Sequence, residues 1–413
     1  MRWRILALLF LARIALGFQF QTMASVGDTV AHDFALDYAQ IGFLVGLFMT
    51  PGLFLALPAG FSGSYLSDRG LVVLGLLVLA AGGLISGLGT DSWAIGLGRL
   101  VAGAGFLFAT LYFTKMTADW FEGREIATAM SILVMSWPFG IAMGQIGYAW
   151  LTNAYGWRVP FEIASIYGAL AAVGIFFFYR PPKDVPPVSS SAPMRLTGQE
   201  WRLIICAGSA WGVFNAGYVV YLTFGPTMLA SLGHTAIGAA SVISIGSWLM
   251  ILAGTVCGQI SDRFGRQNTI LTVCMVAAVV SLVLLSLPSA GLEASLLFGI
   301  LGMAPAGVII ALAGEAIRPE RRAFGMGVFF TVYYAIMMAG PPIAGAILDA
   351  TGRPSGPLLF GMALFAAVVP LALMFRYVKA ARAVVTAKEV QIRRTGASGL
   401  ELASHPRLSR QRN

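Results

Sequence analysis

The stretch LVVLGLLVLAAGGLISGL, Leu71–Leu88, carries no charge and sits between Asp68-Arg69 and Asp91. In lipid a lone chain must satisfy its own backbone hydrogen bonds, so such a stretch reads as a spanning helix. Crossing the hydrocarbon takes about 20 apolar residues. Working outward from Leu71–Leu88, eleven more stretches obey the same rule, and the spans fall at roughly 5–27, 41–65, 70–90, 93–115, 126–151, 159–179, 203–230, 236–260, 269–288, 292–315, 324–348 and 356–378. The alternating segments of a membrane barrel are absent. Only 11% of the 413 residues are charged and 58% are hydrophobic, whereas a soluble protein carries about 25% charged residues. The expectation is an all-α polytopic membrane protein with 12 transmembrane helices. The first stretch lacks a small-residue cleavage site and resembles the others, so it is expected to be a span and not a cleaved signal peptide.

Charge fixes the orientation. Turns from odd to even spans carry Asp28, Asp33, Asp37, Asp91, Glu162, Glu293 and Asp349, with Arg158 and Arg353 as their bases. Arg13 and Arg99 lie within spans, and the opposite face takes the remaining 23 of 27 lysines and arginines. The positive-inside rule then puts both termini in the cytoplasm, in the inner membrane of a bacterial-type cell. The net charge of +9 is read as a topology signal and not as a nucleic-acid surface, because no folded basic domain remains outside the spans. The basic tail from Arg376 to Arg412 can rest on anionic lipid headgroups or stay solvated. Cys206, Cys257 and Cys274 fall inside spans and form no CxxC pattern, while His32, His234 and His405 fall in turns or the tail. No metal site, no cofactor and no histidine proton relay is expected at membrane depth. Enzymatic activity is not expected either: the sequence shows no phosphate loop, no paired carboxylates within a span and no serine–histidine arrangement at depth.

The longest polar interruption before the tail is Arg180 to Arg202, with Pro181, Pro182, Pro186, Pro187, Pro193 and the run Ser189-Ser190-Ser191. That composition is a linker. The expected organisation is a six-helix bundle at 1–180, a cytoplasmic linker at 181–202, a second six-helix bundle at 203–379 and a basic cytoplasmic tail at 380–413. The halves resemble each other: Ser67-Asp68-Arg69 follows span 2 and Ser261-Asp262-Arg263 follows span 8. Span 5 carries Pro138-Phe139-Gly140, and span 11 carries Gly340-Pro341-Pro342. Two similar six-helix halves are the signature of a transporter whose site lies between them.

The turn after span 8 reads Gly258-Gln-Ile-Ser-Asp262-Arg263-Phe-Gly265-Arg266. It resembles the signature loop of the major facilitator superfamily, Gly-x-x-x-Asp-Arg-x-Gly-Arg. The first-half counterpart, Ser64-Tyr-Leu-Ser-Asp68-Arg69-Gly70, is degenerate. Gly98-Arg99 with Gly103 and Gly105 resembles the superfamily's helix 4 pattern, and Gly156-Trp157-Arg158 with Phe161 resembles its start of helix 6. These motifs cover most of the chain. The resemblance implies two bundles that rock about a central site, and a monomer. It also implies a cytoplasmic gate built from Asp68, Arg69, Asp262, Arg263 and Arg266, with acidic partners at Asp119 and Glu315. Asp262 could pair with Arg266, so that the cluster latches helices together on that side.

Helix 1 reads Arg13-Ile-Ala-Leu-Gly17-Phe-Gln19-Phe-Gln21, span 5 has Trp137-Pro138-x-Gly140, and span 7 has Asn215-Ala-Gly217-Tyr218. Together they look like the cyanate-transporter branch and its nitroimidazole-resistance relatives, near the nitrate/nitrite porters, which implies a small anion as substrate. The nitrate/nitrite porters carry arginines in helices 2 and 8, and spans 2 and 8 here contain none, which argues against nitrate. Ile14 and Asp28 stand where the cyanate-type pattern has prolines.

Arg13 is the sharpest feature. It lies roughly 12 Å into helix 1, and a central arginine costs several kcal/mol unless it is paired or wetted. No acid stands at similar depth, so its partner is water with a bound anion, or else helix-end carbonyls. The candidate substrate-binding residues are Arg13, Gln21, Arg99, Trp137, Asn215, Tyr218 and Tyr333, with Tyr334, Trp248 and Gln145 as further polar or aromatic groups. Each could equally be a packing residue. The expected function is secondary transport of a small inorganic or organic anion by alternating access. A carrier exporting apolar drugs through an aromatic cavity and a non-transporting membrane sensor are the alternatives. No deep acid is found for proton coupling, so anion exchange and proton entry through water both stay open, as does the direction of transport.

Overall fold

The computed structural model describes residues 2–59, 66–121, 125–182, 196–318 and 321–403. The described residues form α1 (Arg2–Phe34), α2 (Tyr38–Leu47), α3 (Thr50–Ala59), α4 (Asp68–Gly87), α5 (Ser92–Phe121), α6 (Ile126–Tyr155), α7 (Arg158–Phe178), α8 (Gly198–Ser231), α9 (Ala236–Phe264), α10 (Gln267–Leu285), α11 (Gly291–Leu297), α12 (Ala306–Ala316), α13 (Arg322–Thr351) and α14 (Ser355–Ala403). No strand occurs among them. They supply 12 helices long and apolar enough to cross a membrane.

Two spans are broken, each beside a proline. Pro51 has no N–H to give back to Leu47, and Phe48 donates to Gly46 and not to Leu44, so α2 and α3 are separate helices. In the tenth span a π-helical turn, Phe298–Gly302, separates α11 from α12, whose N-cap is Pro305. The linker is shorter at its end than expected. Thr197 and Glu200 form a capping box that starts α8 at Gly198, inside the 181–202 segment. Residues 183–195 and Ser64 lie outside the described residues. The tail expected from 380 is the continuation of α14 as far as Ala403.

Helices α1 and α4–α7 pack chiefly on one another, as do α8–α14. The two groups meet through α2 and α3 against α13 and through α6 against α9. The α2–α13 contact is backbone on backbone. A Cβ on Gly42 would lie 2.2 Å from the Pro341 carbonyl oxygen, and one on Gly345 would lie 2.0 Å from the Tyr38 carbonyl oxygen. Asp349 at the end of α13 adds charge to this contact. Its carboxylate accepts from the backbone N–H groups of Tyr38 (3.0 Å) and Ala39 (2.7 Å), the first residues of α2. Asp37 and Gln40 complete a capping box at the same helix end. On α8, Thr227 donates to Asp28 of α1 at 3.3 Å. All of these groups lie toward the odd-to-even turns. The described ion pairs toward the termini, by contrast, each stay within one half: Arg2–Glu125, Lys115 with Asp68 and Asp119, Arg321–Glu200 and Lys379–Glu315. The halves are therefore fastened at the face of the odd-to-even turns.

A carboxylate on an exposed helix N-terminus contributes about 0.3–1 kcal/mol. Asp349→Ala is accordingly expected to shift the closed-to-open equilibrium of this face about 2- to 5-fold toward open. Distances between spin labels placed at His32 and Arg353 in a cysteine-free background read that shift, and an unchanged distribution would remove Asp349 from the fastening.

Candidate substrate site

Arg13 is 7% exposed and its Nη1 is held by α6. It donates to the Leu133 carbonyl (2.8 Å), the Val134 carbonyl (3.3 Å) and Ser136 Oγ (3.0 Å). The sequence explains why these acceptors are free. Pro138 has no N–H, so the Val134 carbonyl, its natural partner one turn back, loses an intrahelical donor. Arg13 Nε is buried and has no partner in the protein. No carboxylate is bonded to this guanidinium among the described residues; the Tyr334 phenol of the other half interacts with it electrostatically. Backbone dipoles thus hold one end of a buried cation while its charge stays uncompensated.

Around Arg13 the two halves contribute rings. Trp137 follows Ser136 on α6, packs 5.5 Å from Phe20, and buries an Nε1–H with no protein partner. Phe139 meets Trp248 of α9 edge to face at 5.0 Å. From the other half, Tyr334 lies 4.9 Å from Tyr333, which stacks at 6.3 Å on Trp211. Asn215 is 5% exposed, and its Nδ2 donates to the Trp211 carbonyl. Arg13, Trp137, Tyr333 and Asn215 are thus gathered about the junction of α1, α6, α8 and α13, with Tyr334 and Trp211 beside them.

Three expected ligands lie elsewhere. Arg99 is fully enclosed, with Nε on the Leu44 carbonyl (3.2 Å), Nη1 on the Gln19 carbonyl (2.9 Å) and Thr22 Oγ1 (3.3 Å), and Nη2 on the Phe20 carbonyl (3.4 Å). Its guanidinium lies 4.5 Å over the Phe48 ring. The Leu44 carbonyl is available because α2 breaks there. Arg99 therefore clamps α1 and α2 to α5, with a protein acceptor on each of its three nitrogens, and stands apart from the groups about Arg13. Tyr218 stands apart too: it is fully buried inside the second half, bonded to Ser247 Oγ at 2.7 Å and stacked on Phe298. Gln21 donates to Ser25 and to Gln145. Gln145, Ser25, Asp28, Tyr38 and Thr227 line a cavity of about 350 Å³ on the fastened side, so Gln21 belongs to that closed end. Removing the Arg99 clamp leaves the Leu44 carbonyl without a donor and unties α1 and α2 from α5. Arg99→Ala is expected to cost about 3 kcal/mol of stability and to lower the thermal midpoint in detergent by several degrees. A midpoint equal to wild type would rule out the clamp.

The gate residues pair differently from the expected latch. Glu315 bonds Lys379 of α14, within its own half and not with Arg266. Lys115 bridges Asp68 and Asp119, tying α4 to α5. Arg69 lies 5.5 Å over Phe176, Arg263 lies 5.9 Å over Phe264, and Arg266 is exposed at the start of α10. The Asp262 side chain lies outside the described residues. With the halves fastened at the other face, these charges find partners in their own bundle. Sequence reasoning missed Lys115, Ser136 and the two carbonyls around Arg13. The proline in α6 is the signal that could have pointed to the Val134 carbonyl.

The profile of the Major Facilitator Superfamily matches residues 9–341. The chain is similar to the probable galactarate/D-glucarate transporter GudP of Bacillus subtilis (strain 168), 24% identical with 92% of each chain covered. It is similar to the gallate transporter of Pseudomonas putida (24% identical, 90% of this chain, 91% of that one) and to the cis,cis-muconate transport protein of Acinetobacter baylyi (25%, 88% and 92%). Among solved structures, a bacterial homolog to the human lysosomal transporter Spinster superposes with a TM-score of 0.71, at 17% identity over 92% of this chain and 97% of that one. The nucleoside transporter NupG superposes with a TM-score of 0.72, at 14% identity over 90% and 98%. These two likenesses speak to the fold.

Proposed function

We propose, from the premise that this chain belongs to the Major Facilitator Superfamily, that it is a secondary transporter of small organic acid anions. The observation that carries the reading is the Arg13 guanidinium, buried without a bonded carboxylate and with Nε unpartnered. An acidic cargo supplies the missing negative charge in a low-dielectric place where that charge counts most. The similar transporters of galactarate/D-glucarate, gallate and cis,cis-muconate support an organic acid. The helix 1 pattern supports a smaller, cyanate-like ion as the second reading.

With the termini in the cytoplasm, the fastened face is the outer one and the structure is inward-facing. Arg13 belongs to the first half, and Tyr333, Tyr334 and Asn215 to the second. A cargo touching both sets stabilises the occluded arrangement more than either open one, which is what alternating access requires. The protein works in this reading as a monomer in a bacterial-type inner membrane, with no cofactor. Counterflow in proteoliposomes tests it. Labelled organic acid should accumulate transiently against an unlabelled internal pool, and no uptake of any organic or inorganic anion would sink the proposal and favour the sensor.

A further inference from the structure

We infer that the cargo is a planar carboxylate with an aromatic or conjugated body, in preference to a saturated acid or a bare inorganic anion. This rests on the anion reading of Arg13 and goes beyond it to the substrate class.

The first ground is the wall beside the cation. Rings come to the Arg13 region from both halves. On one side stand Trp137 and the Phe139–Trp248 pair, which crosses between α6 and α9. On the other stand Tyr334, Tyr333 and Trp211 in succession. Trp137, Phe139, Trp248 and Trp211 are only half-buried, so parts of these rings are left uncovered by protein. A flat π-body finds edge and face partners there, which an inorganic ion cannot use.

The second ground is the inventory of hydrogen-bonding groups. Ser136 Oγ donates to the Leu133 carbonyl and accepts from Arg13, and Asn215 Nδ2 donates to the Trp211 carbonyl. Two buried donors of this region have no partner among the described residues, Arg13 Nε–H and Trp137 Nε1–H. A carboxylate is acceptor-only and fits such donors.

The third ground is position. Trp137 belongs to the first half and Tyr333 to the second, so a flat cargo that bridges them joins the two halves. Tyr333 thus sets specificity, while Arg13 anchors charge.

The test is a binding panel on the full chain in nanodiscs, read by calorimetry. The probes are benzoate, cyclohexanecarboxylate (equal in carbon count but not flat), glucarate and nitrate. Wild type should bind benzoate at least 10-fold tighter than each of the others. Tyr333→Leu should lower that preference over cyclohexanecarboxylate toward unity, and Tyr333→Phe should keep it, which separates ring recognition from misfolding. Equal affinity for benzoate and cyclohexanecarboxylate overturns the inference. Tighter, Arg13-dependent binding of glucarate or nitrate overturns it too, while leaving the anion carrier intact. Binding that ignores Arg13→Ala, or no binding by any probe, overturns both.

Discussion

Arg13→Ala is expected to raise the dissociation constant for the carried organic acid about 100-fold and to reduce counterflow to background. A hydrogen bond to a charged group contributes about 1.5–3 kcal/mol, and about 3 kcal/mol corresponds to roughly two decades in affinity. The loss should be large here because no neighbouring acid or base compensates: Arg13 meets carbonyls and a serine hydroxyl, and no carboxylate is bonded to it among the described residues. The fold should tolerate the change better than it tolerates Arg99→Ala. Leu133 keeps a donor in Ser136 Oγ, whereas Arg99 on α5 joins carbonyls of both α1 and α2. Arg13→Lys keeps charge but loses the planar fork, so an intermediate loss of about 10-fold is expected. Titration of purified protein, with the thermal midpoint as folding control, checks all three. If folded Arg13→Ala binds organic acids as wild type does, the anion site is elsewhere. If it still moves apolar drugs and never moved acids, the protein is an export carrier.

The second large effect is expected at Gly345. A Cβ there would sit 2.0 Å from the Tyr38 carbonyl oxygen, 2.4 Å from its carbon and 2.7 Å from the Ala39 nitrogen. These are backbone atoms of a capped helix and cannot swing aside as a side chain would. Gly345→Val must therefore part α13 from α2, and Asp349 is then drawn off the α2 N-terminus. Overpacking costs about 1–3 kcal/mol, and the lost helix-end charge adds about 0.3–1 kcal/mol. The sum disfavours closure about 10-fold or more. Spin labels at His32 and Arg353 should report a longer distance, and counterflow should fall by a similar factor, because a carrier that cannot close one face cannot complete its cycle. Gly42→Val, facing the Pro341 carbonyl at 2.2 Å, should behave alike. Wild-type distances and rates in both variants would mean that this backbone contact is dispensable.

The twelve spans were legible in the chain because lipid admits few charges and requires backbone bonds to close within each segment. Arg13 was legible for the same reason: a charge at depth stands out against that background. Arg99 shows the limit. It stood out equally, yet four acceptors from α1 and α2 enclose it, and one of them, the Leu44 carbonyl, becomes available only when α2 breaks at Phe48. Glu315 is similar. The motif named it as a gate partner, but it bonds Lys379, which α14 brings alongside α12. The Thr197–Glu200 capping box was written in the sequence and was read as linker, since the prolines before it dominated the composition.

Charge and hydropathy along the chain therefore settled that this protein spans a membrane twelve times and carries a costly cation at depth, because both are properties of a segment and its solvent. Tertiary structure alone decided which arginine kept a nitrogen without a partner among the described residues, which rings stand beside it and which face is fastened. Those depend on contacts such as Arg13 with Ser136 and Asp349 with Tyr38, where residues far apart in sequence meet through the rotation and tilt of whole helices.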